Sequence, residues 1–465
     1  MEQIVNRSLR LMAAAMFGLF MATGCASLPD TNALIKHHQG QAVRFESARG
    51  PLSARANAAI LARLQQKSGE LDILEKQIVL EEAIVGSPLI LGNQVTLLQD
   101  GAATYAAMFA AIRNARDHIN LETYIIEDDE IGRQFADLLL ERQTRGVQVN
   151  LIYDSVGSFG TPKAFFERLS QGGINVLEFN PVNPLATRKT WVLNNRDHRK
   201  LLVVDGQTAF IGGINISSVY SSGSIGRRSR KPPAPLVEWR DTQIQIDGPV
   251  VAELQKLFMQ TWQKQLGPPL APKDYFPALK TRGTDIVRAI GSSYDDPYSL
   301  IYLTLISAIG NAEKSVYLTN AYFVPDPQLL DALTGAAQRG VDVKLILPSH
   351  SDSAIVFHAG RAHYTGLLQG GVKLYERVGA LLHAKTAVID GVWSTVGSTN
   401  LDWRSFLDND EVNAVILGRE FSQKMQGMFA RDLDASLTID LTAWERRPLS
   451  WRLKEWMAQM WGRLL

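Results

Sequence analysis

The 465-residue chain predicts an α/β fold written twice in tandem. Three observations carry that reading. His198, Lys200 and Asp205 form an HxKxxxxD pattern that recurs 185 residues later as His383, Lys385 and Asp390. The flanking chain recurs too: Ala111-Ile112-Arg113-Asn114-Ala115 matches Ala308-Ile309-Gly310-Asn311-Ala312, Arg145-Gly146-Val147 matches Arg339-Gly340-Val341, and Gly172-Gly173-Ile174 matches Gly370-Gly371-Val372. Between these anchors, short aliphatic runs alternate with longer amphipathic ones, the βαβ rhythm of a layered sheet. A repeat of this length is a duplicated domain and not a solenoid unit.

Taken in order, residues 1–24 read as a signal peptide or anchor. Arg7 and Arg10 precede an apolar run from Leu11 to Thr23, too short to span a bilayer but suited to the apolar region of a secretory signal. It ends in Ala22-Thr23-Gly24-Cys25, where Cys25 is the only cysteine, so no intramolecular disulfide exists. Residues 25–85 form a helical N-terminal segment, rich in Ala, Leu, Glu, Gln and Lys from Ala54 to Ala83. Residues 86–270 form the first repeat, with strands near 119–126, 148–153 and 174–179 between helices near 102–116, 131–145 and 162–171. Residues 271–440 form the second. Gly172 and Gly370 stand 198 apart but the histidines 185, so the first repeat carries thirteen extra residues before its motif. That insertion, Asn180-Pro181-Val182-Asn183-Pro184 with Arg188, Lys189 and Trp191, fits a surface loop or a substrate wall. Ser222 to Pro235, with Arg227, Arg228, Arg230 and Lys231, fits a solvated loop or a contact for anionic headgroups. Residues 441–465 form a C-terminal amphipathic helix. Leu453, Trp456, Met457, Met460, Trp461 and Leu464 follow helical spacing among Arg452, Lys454 and Arg463. Such a helix rests in a bilayer interface or packs on the catalytic domains.

The motif spacing has a chemical consequence. Leu201-Leu202-Val203-Val204 and Thr386-Ala387-Val388-Ile389 fit buried strands. Residues i and i+2 of a strand share a face, so each histidine projects with its lysine. An imidazole beside an ammonium is a poor core pair and a good anion site. Asp205 and Asp390 fall an odd number of positions from their lysines, which assigns them a supporting role. Each motif is followed by a small-residue turn and an amide, Gly212-Gly213-Ile214-Asn215 and Gly397-Ser398-Thr399-Asn400. Asn215, Ser398 and Asn400 are therefore candidate donors to phosphate oxygens, with glycine allowing close backbone approach to a ligand. Asp241 and Glu411, in later strand-like runs, are candidates to orient the histidines through Nδ1.

These residues resemble the phospholipase D superfamily, and the whole pattern from about residue 85 to 465 resembles its bacterial cardiolipin synthase family. The resemblance implies two tandem phospholipase D-like α/β/α sandwich domains that form one pseudo-symmetric active site. It implies that one histidine attacks phosphorus to form a phosphohistidine while the other protonates the leaving alcohol, without metal or other cofactor, and it favours His198 as the attacker. The N-terminal stretch resembles a bacterial lipoprotein signal cleaved before a lipidated Cys25, although Ala22 stands where leucine is commoner. An ordinary secretory signal is the alternative. Ala26 in place of Asp is compatible with an outer-membrane address. These features imply a protein anchored by lipid in the bacterial cell envelope, on the periplasmic side.

Composition narrows the substrate. The net charge is +1, and removal of residues 1–24 leaves 46 basic against 46 acidic residues. A general nucleic-acid binder more often shows a basic domain, so no nucleic-acid partner is expected. Phospholipid, phosphatidylglycerol or a relative, is the expected substrate and a membrane surface the expected partner. The acceptor alcohol decides the outcome: a lipid hydroxyl gives cardiolipin, water gives phospholipase D hydrolysis. A nuclease of the same superfamily is a third reading, and a non-enzymatic membrane scaffold the reading from another class.

Overall fold

The computed structural model describes residues 43–68, 77–78, 81, 85–182, 194–221 and 238–462. Cys25 and the signal, Arg188, Lys189 and Trp191 of the insertion, the run from Ser222 to Pro235, and Arg463 and Leu464 lie outside the described residues.

The duplication is visible strand by strand. The first half contributes β1 (Leu89–Leu98), β2 (His118–Thr123), β3 (Gln148–Asp154), β4 (Asn175–Phe179), β5 (Lys200–Val204), β6 (Thr208–Gly212) and β7 (Gln243–Asp247). They lie side by side as β4-β3-β2-β5-β6-β7-β1, with β4-β3-β2 parallel and every later pair antiparallel. The second half contributes β8 (Asp285–Ser292), β9 (Ser315–Asn320), β10 (Asp342–Pro348), β11 (Lys373–Arg377), β12 (Lys385–Ile389), β13 (Trp393–Gly397) and β14 (Asn409–Leu417). Their order, β11-β10-β9-β12-β13-β14-β8, repeats the first in position and direction. Strand β1 also pairs antiparallel with β8 and so joins the halves, and a further strand, β15 (Ser436–Ile439), extends the far edge beside β11.

The α/β reading holds, and element ends differ by a residue or two, except that the strand expected over 119–126 ends at Thr123. The helices of the first half span Gly101–Asn114, Glu130–Thr144 and Lys163–Gln171. The first two are capped by Asp100 and Asp129, whose carboxylates accept the N–H of Ala103 and Gly132. The N-terminal segment is helical over Ala54–Ser68, and the C-terminal one splits into Leu441–Glu445 and Leu449–Gln459. Among the described residues no helix is long and apolar enough to cross a membrane.

The motif strands are buried on both faces, as unbroken aliphatic runs require. In β5, Leu202 and Val204 join the core under the first-half helices, while Leu201 and Val203 join a core shared with Val388, Val396, Val412 and Ala414 of the second half. Each such side chain contributes about 1.5–3 kcal/mol by leaving water, so strands that carry the histidines are also the ones that clamp the halves together.

Asp205 and Asp390 close these strands at the end remote from the histidines. Both sit in the left-handed region, with φ of 53° and 52°. Asp205 accepts the N–H groups of Arg116, Asp117 and His118 at 2.8–3.1 Å, and Asp390 those of Glu313, Lys314 and Ser315 at 2.7–2.9 Å. The supporting role is therefore concrete: each carboxylate fixes the start of the neighbouring strand, β2 or β9. Replacing Asp390 by Ala strands three N–H groups and puts a Cβ-bearing residue without a compensating side chain at positive φ. The expected cost is about 2–4 kcal/mol, read as an earlier urea midpoint; an unchanged midpoint would show that the carboxylate holds nothing.

Candidate active site

Both histidines emerge where β5 and β12 begin, beside the C-terminal ends of β2 and β9, because Lys200 pairs with Thr123 and Lys385 with Asn320. Two short parallel pairings bring the halves together there. Arg196–Asp197 lies against Asn409–Asp410, and Trp239–Arg240 against Leu381–Leu382. Consequently the His198 N–H donates to the Asp410 carbonyl at 2.9 Å and the His383 N–H to the Arg240 carbonyl at 2.8 Å.

The next residue along each partner segment is an acid, and it reaches the opposing histidine. His198 Nδ1 lies 3.0 and 3.1 Å from the two oxygens of Glu411, and His383 Nδ1 lies 2.6 Å from Asp241 Oδ2. The pairing is crossed: each imidazole is held by a carboxylate of the other half. With Nδ1 on the carboxylate, Nε2 is the nitrogen left for chemistry.

The lysines stand on the same faces, as the i, i+2 spacing requires. Each Nζ donates to the carbonyl of its own histidine, at 2.7 Å for Lys200 and 2.5 Å for Lys385, and Lys385 Nζ also lies 3.0 Å from His383 Nδ1. Aromatic rings wall the cluster: Tyr124 is edge-on to His198 at 5.0 Å between centroids, while Trp239, Tyr220 and Tyr322 surround His383 at 5.1, 5.8 and 6.1 Å.

Burial sets the protonation states. It depresses both imidazoles to about 4, His198 despite the attraction of Glu411 and His383 with added repulsion from Lys385. Burial likewise pushes Lys200 down to about 7 and Lys385 down to about 8. Burial alone would raise Glu411, but His198, Lys200 and the Ser398 hydroxyl outweigh it and hold the carboxyl at about 2. At neutral pH the site thus holds neutral imidazoles, an ionised Glu411 and lysines on the edge of deprotonation.

The amides and hydroxyl proposed for phosphate stand one step further back. Asn215 Nδ2 donates to the Tyr220 hydroxyl at 2.9 Å, its Oδ1 accepts from the Ile125 N–H, and Tyr220 in turn lies 3.5 Å from His383 Nδ1. The Ser398 hydroxyl donates to Glu411 Oε2. Asn400 is buried with Oδ1 unpaired among the described residues. The glycine turn also has a different use from the one expected. A Cβ on Gly213 would sit 2.2 Å from Asp241 Oδ1, so the missing side chain makes room for a carboxylate of the site and not directly for a ligand.

Sequence reasoning missed Arg199 and the aromatic wall. Arg199 alternates to the face opposite His198 and Lys200, where Nε donates to the Glu411 carbonyl at 3.1 Å, Nη1 to Thr261 Oγ1 at 2.8 Å and Nη2 to the Ser292 carbonyl at 3.1 Å. Its buried neighbour Glu122 lies 3.7 Å away and is raised to about 7 by burial. Strand alternation could have flagged this arginine. Nothing local marks Tyr220 or Trp239, which reach the site through tertiary packing.

The titration can be checked directly. In ligand-free protein, 15N NMR should show His198 and His383 neutral down to about pH 5. Glu411→Gln removes the anion that favours the imidazolium and moves His198 lower still. Titration of either ring near 6.5 would contradict the buried, lysine-flanked geometry.

Comparison with known proteins gives consistent matches. The family described as "Cardiolipin synthase, PLD-like domain" matches residues 108–222 and 305–433. The chain is 35% identical over 381 residues to the cardiolipin synthase of Geobacillus kaustophilus (strain HTA426), covering 81% of this chain and 74% of the relative. It is 38% identical over 352 residues to cardiolipin synthase A of Pseudomonas fluorescens (strain SBW25), covering 74% and 69%. Among solved structures, phosphatidylserine synthase from Haemophilus influenzae superposes with a TM-score of 0.58 at 13% identity, over 83% of this chain and 96% of that one; at that identity the likeness speaks to the fold alone.

Proposed function

The chain belongs to the cardiolipin synthase family of phospholipase D-like enzymes, and from that premise we propose that it is a phosphatidyltransferase joining two phosphatidylglycerol molecules into cardiolipin with release of glycerol. The observation that carries the mechanism is the pair of imidazoles, each held through Nδ1 by a carboxylate of the other half.

His198 is the nucleophile. Among the described residues Glu411 alone addresses its Nδ1, which keeps the lone pair on Nε2, and burial, which lowers the ring to about 4, keeps it neutral. Nε2 attacks phosphorus and the bond to the glycerol oxygen breaks. His383 gives its Nε2 proton to the departing alkoxide. That proton is in place before cleavage: the arriving phosphodiester anion raises the proton affinity of the ring, so Lys385, 3.0 Å from His383 Nδ1, first passes it a proton to make the imidazolium, and cleavage leaves the ring neutral. In the second step the free hydroxyl of another phosphatidylglycerol returns a proton to His383, attacks phosphorus and releases His198. Lys200 and Lys385 oppose the charge on the phosphoryl oxygens. Asn215 and Ser398 support the site through Tyr220 and Glu411, and Asn400 is the one of the three whose side-chain oxygen is unpaired among the described residues.

The 86–270 and 271–440 division is read as two half-sites, with 441–465 as an appendage. The N-terminal 24 residues and Cys25 are read as a lipoprotein signal that places the enzyme in the cell envelope, on the periplasmic side. Hydrolysis is the competing outcome for the same site, since it shares every residue and differs only in the acceptor.

Mass spectrometry of lipids after incubation with phosphatidylglycerol vesicles separates these outcomes. Cardiolipin plus glycerol is expected; phosphatidic acid plus glycerol would make the enzyme a hydrolase. His198→Ala and His383→Ala should each abolish turnover, and Glu411→Gln should lower it roughly 10²–10⁴-fold by analogy with other oriented histidines. Substantial turnover by either alanine variant would reject the shared two-histidine site.

The pH profile follows from the free-enzyme values. Protonation of His198 removes the nucleophile, so kcat/KM rises as pH climbs through about 4. Loss of the lysine protons removes the positive charge that meets the phosphate, and the proton reserve, so it falls as pH climbs through about 7 to 8. A single limb centred on 6.5 would contradict this assignment.

A further inference from the structure

The C-terminal helix Leu449–Gln459 has two faces of unexpected character. Its buried residues are small or charged. Ala458 packs with Val324 and Ala359, and Glu455 is turned inward to a bidentate pair with Arg447. The large apolar residues point the other way. Leu453, Trp456, Met457, Met460 and Trp461 are exposed, Trp456 by 60%, with Arg452 and Lys454 exposed among them. A folded protein rarely leaves so contiguous an apolar set to water without a partner.

A second exposed apolar site lies in the loop after β3, where Phe159 is 80% exposed and Val156 stands beside it. At the corresponding place after β10 the second half exposes Ile355 at the start of the helix Ala354–Arg361, against which the C-terminal helix packs.

Both sites attach to the walls of the histidine cluster. Asp154, which ends β3, accepts the N–H of Asp197, next to His198, and Gly157 lies so close to the Tyr124 carbonyl that a Cβ would clash at 2.2 Å. Tyr124 in turn packs on His198. In the other half, the Tyr322 hydroxyl donates to Asp352 at the entrance to the helix Ala354–Arg361, and its ring packs on His383. Val324, two residues on, packs on the end of the C-terminal helix through Ala458. Exposed apolar surface therefore follows the parallel strands β3 and β10 at their C-terminal ends and connects to the histidines through Tyr124 and Tyr322.

We propose that the exposed face of the C-terminal helix and the Val156–Phe159 loop form one interfacial surface that inserts into a bilayer of anionic phospholipid and presents headgroups to the cleft. Trp and Met partition into the boundary between headgroups and acyl chains, and the flanking Arg452 and Lys454 match anionic headgroups in charge. The helix thus combines the two placements its sequence allowed: it packs on the catalytic half through Ala458, with Glu455 tied to Arg447 just ahead of it, and offers its aromatic face to lipid. The proposal rests on the phospholipid-substrate reading above.

The test uses the purified full chain and phosphatidylglycerol vesicles whose acyl chains carry bromine, which quenches only tryptophan inserted among them. Wild-type fluorescence should be quenched and W456Q/W461Q should lose that quench. The same variant, and F159S, should turn over vesicle lipid roughly tenfold or more slowly while matching wild type on dispersed short-chain phosphatidylglycerol. An unchanged quench in the double variant, or wild-type rates on vesicles for both variants, would overturn the proposal. If no protein turned over either lipid form, the reading of the chemistry would fail, and the quench would still decide whether this surface meets the bilayer.

Discussion

Everything at this site depends on the crossing of the carboxylates. Glu411 orients His198 and Asp241 orients His383, so neither half contains a complete catalytic pair. The backbone enforces the exchange: the His198 and His383 N–H groups are bound by carbonyls one residue before the opposing acids. Chain entropy opposes holding such distant segments together. The opposition is met by the aliphatic core shared between β5, β6, β7 and β12, β13, β14, whose side chains lie at or near zero exposure. A clamp of hydrophobic residues thus determines the distance between two imidazoles, and a substitution that loosened it would act on chemistry without touching a polar group.

The charge balance of the cluster explains why an anion is the natural visitor. With both imidazoles neutral, Lys200 and Lys385 share a buried space with Glu411 and Asp241, and burial has already lowered both lysines. An isolated buried charge is costly unless paired. A phosphodiester adds one negative charge to this set, favours protonation of an imidazole and relieves the mutual repulsion of the lysines. The ligand itself therefore completes the protonation state that its own cleavage needs, and the empty site does not have to maintain a histidinium.

The fold was legible where it was periodic. Duplicated Arg-Gly-Val and Gly-Gly turns placed strands and helices within a residue or two, and in the structure Gly146, Gly173, Gly340 and Gly371 all have φ between 88° and 92°, a conformation that costs glycine little. Odd spacing separated Asp205 and Asp390 from the lysines, and the structure shows them binding backbone N–H groups at the other end of the strand. The crossing was not legible, because it joins residues 213 and 142 positions apart and no local pattern states which carboxylate meets which histidine. The turn residues were legible as site residues but not in their contacts, since Asn215 reaches His383 only through Tyr220, a ring brought there by packing.

The halves are not equivalent, and at the histidines the difference begins with one pair of matching positions. Gly213 and Ser398 stand at the same place in the two repeats, 185 residues apart. In the first half the absence of a side chain admits the short Asp241 carboxylate, which shares His383 Nδ1 with Lys385 and the Tyr220 hydroxyl. In the second half the Ser398 hydroxyl fills that place, donates to the longer Glu411 and helps hold it ionised. His198 therefore faces a carboxylate fixed in charge and orientation, suited to a nucleophile whose lone pair must stay on Nε2. His383 faces a shared position where an acid and a proton source meet the same nitrogen, suited to passing a proton in both directions. Duplication supplied two copies of one half-site, and a hydroxymethyl group at one position and a methylene at another give the two histidines different surroundings, the basis of the division of labour proposed above.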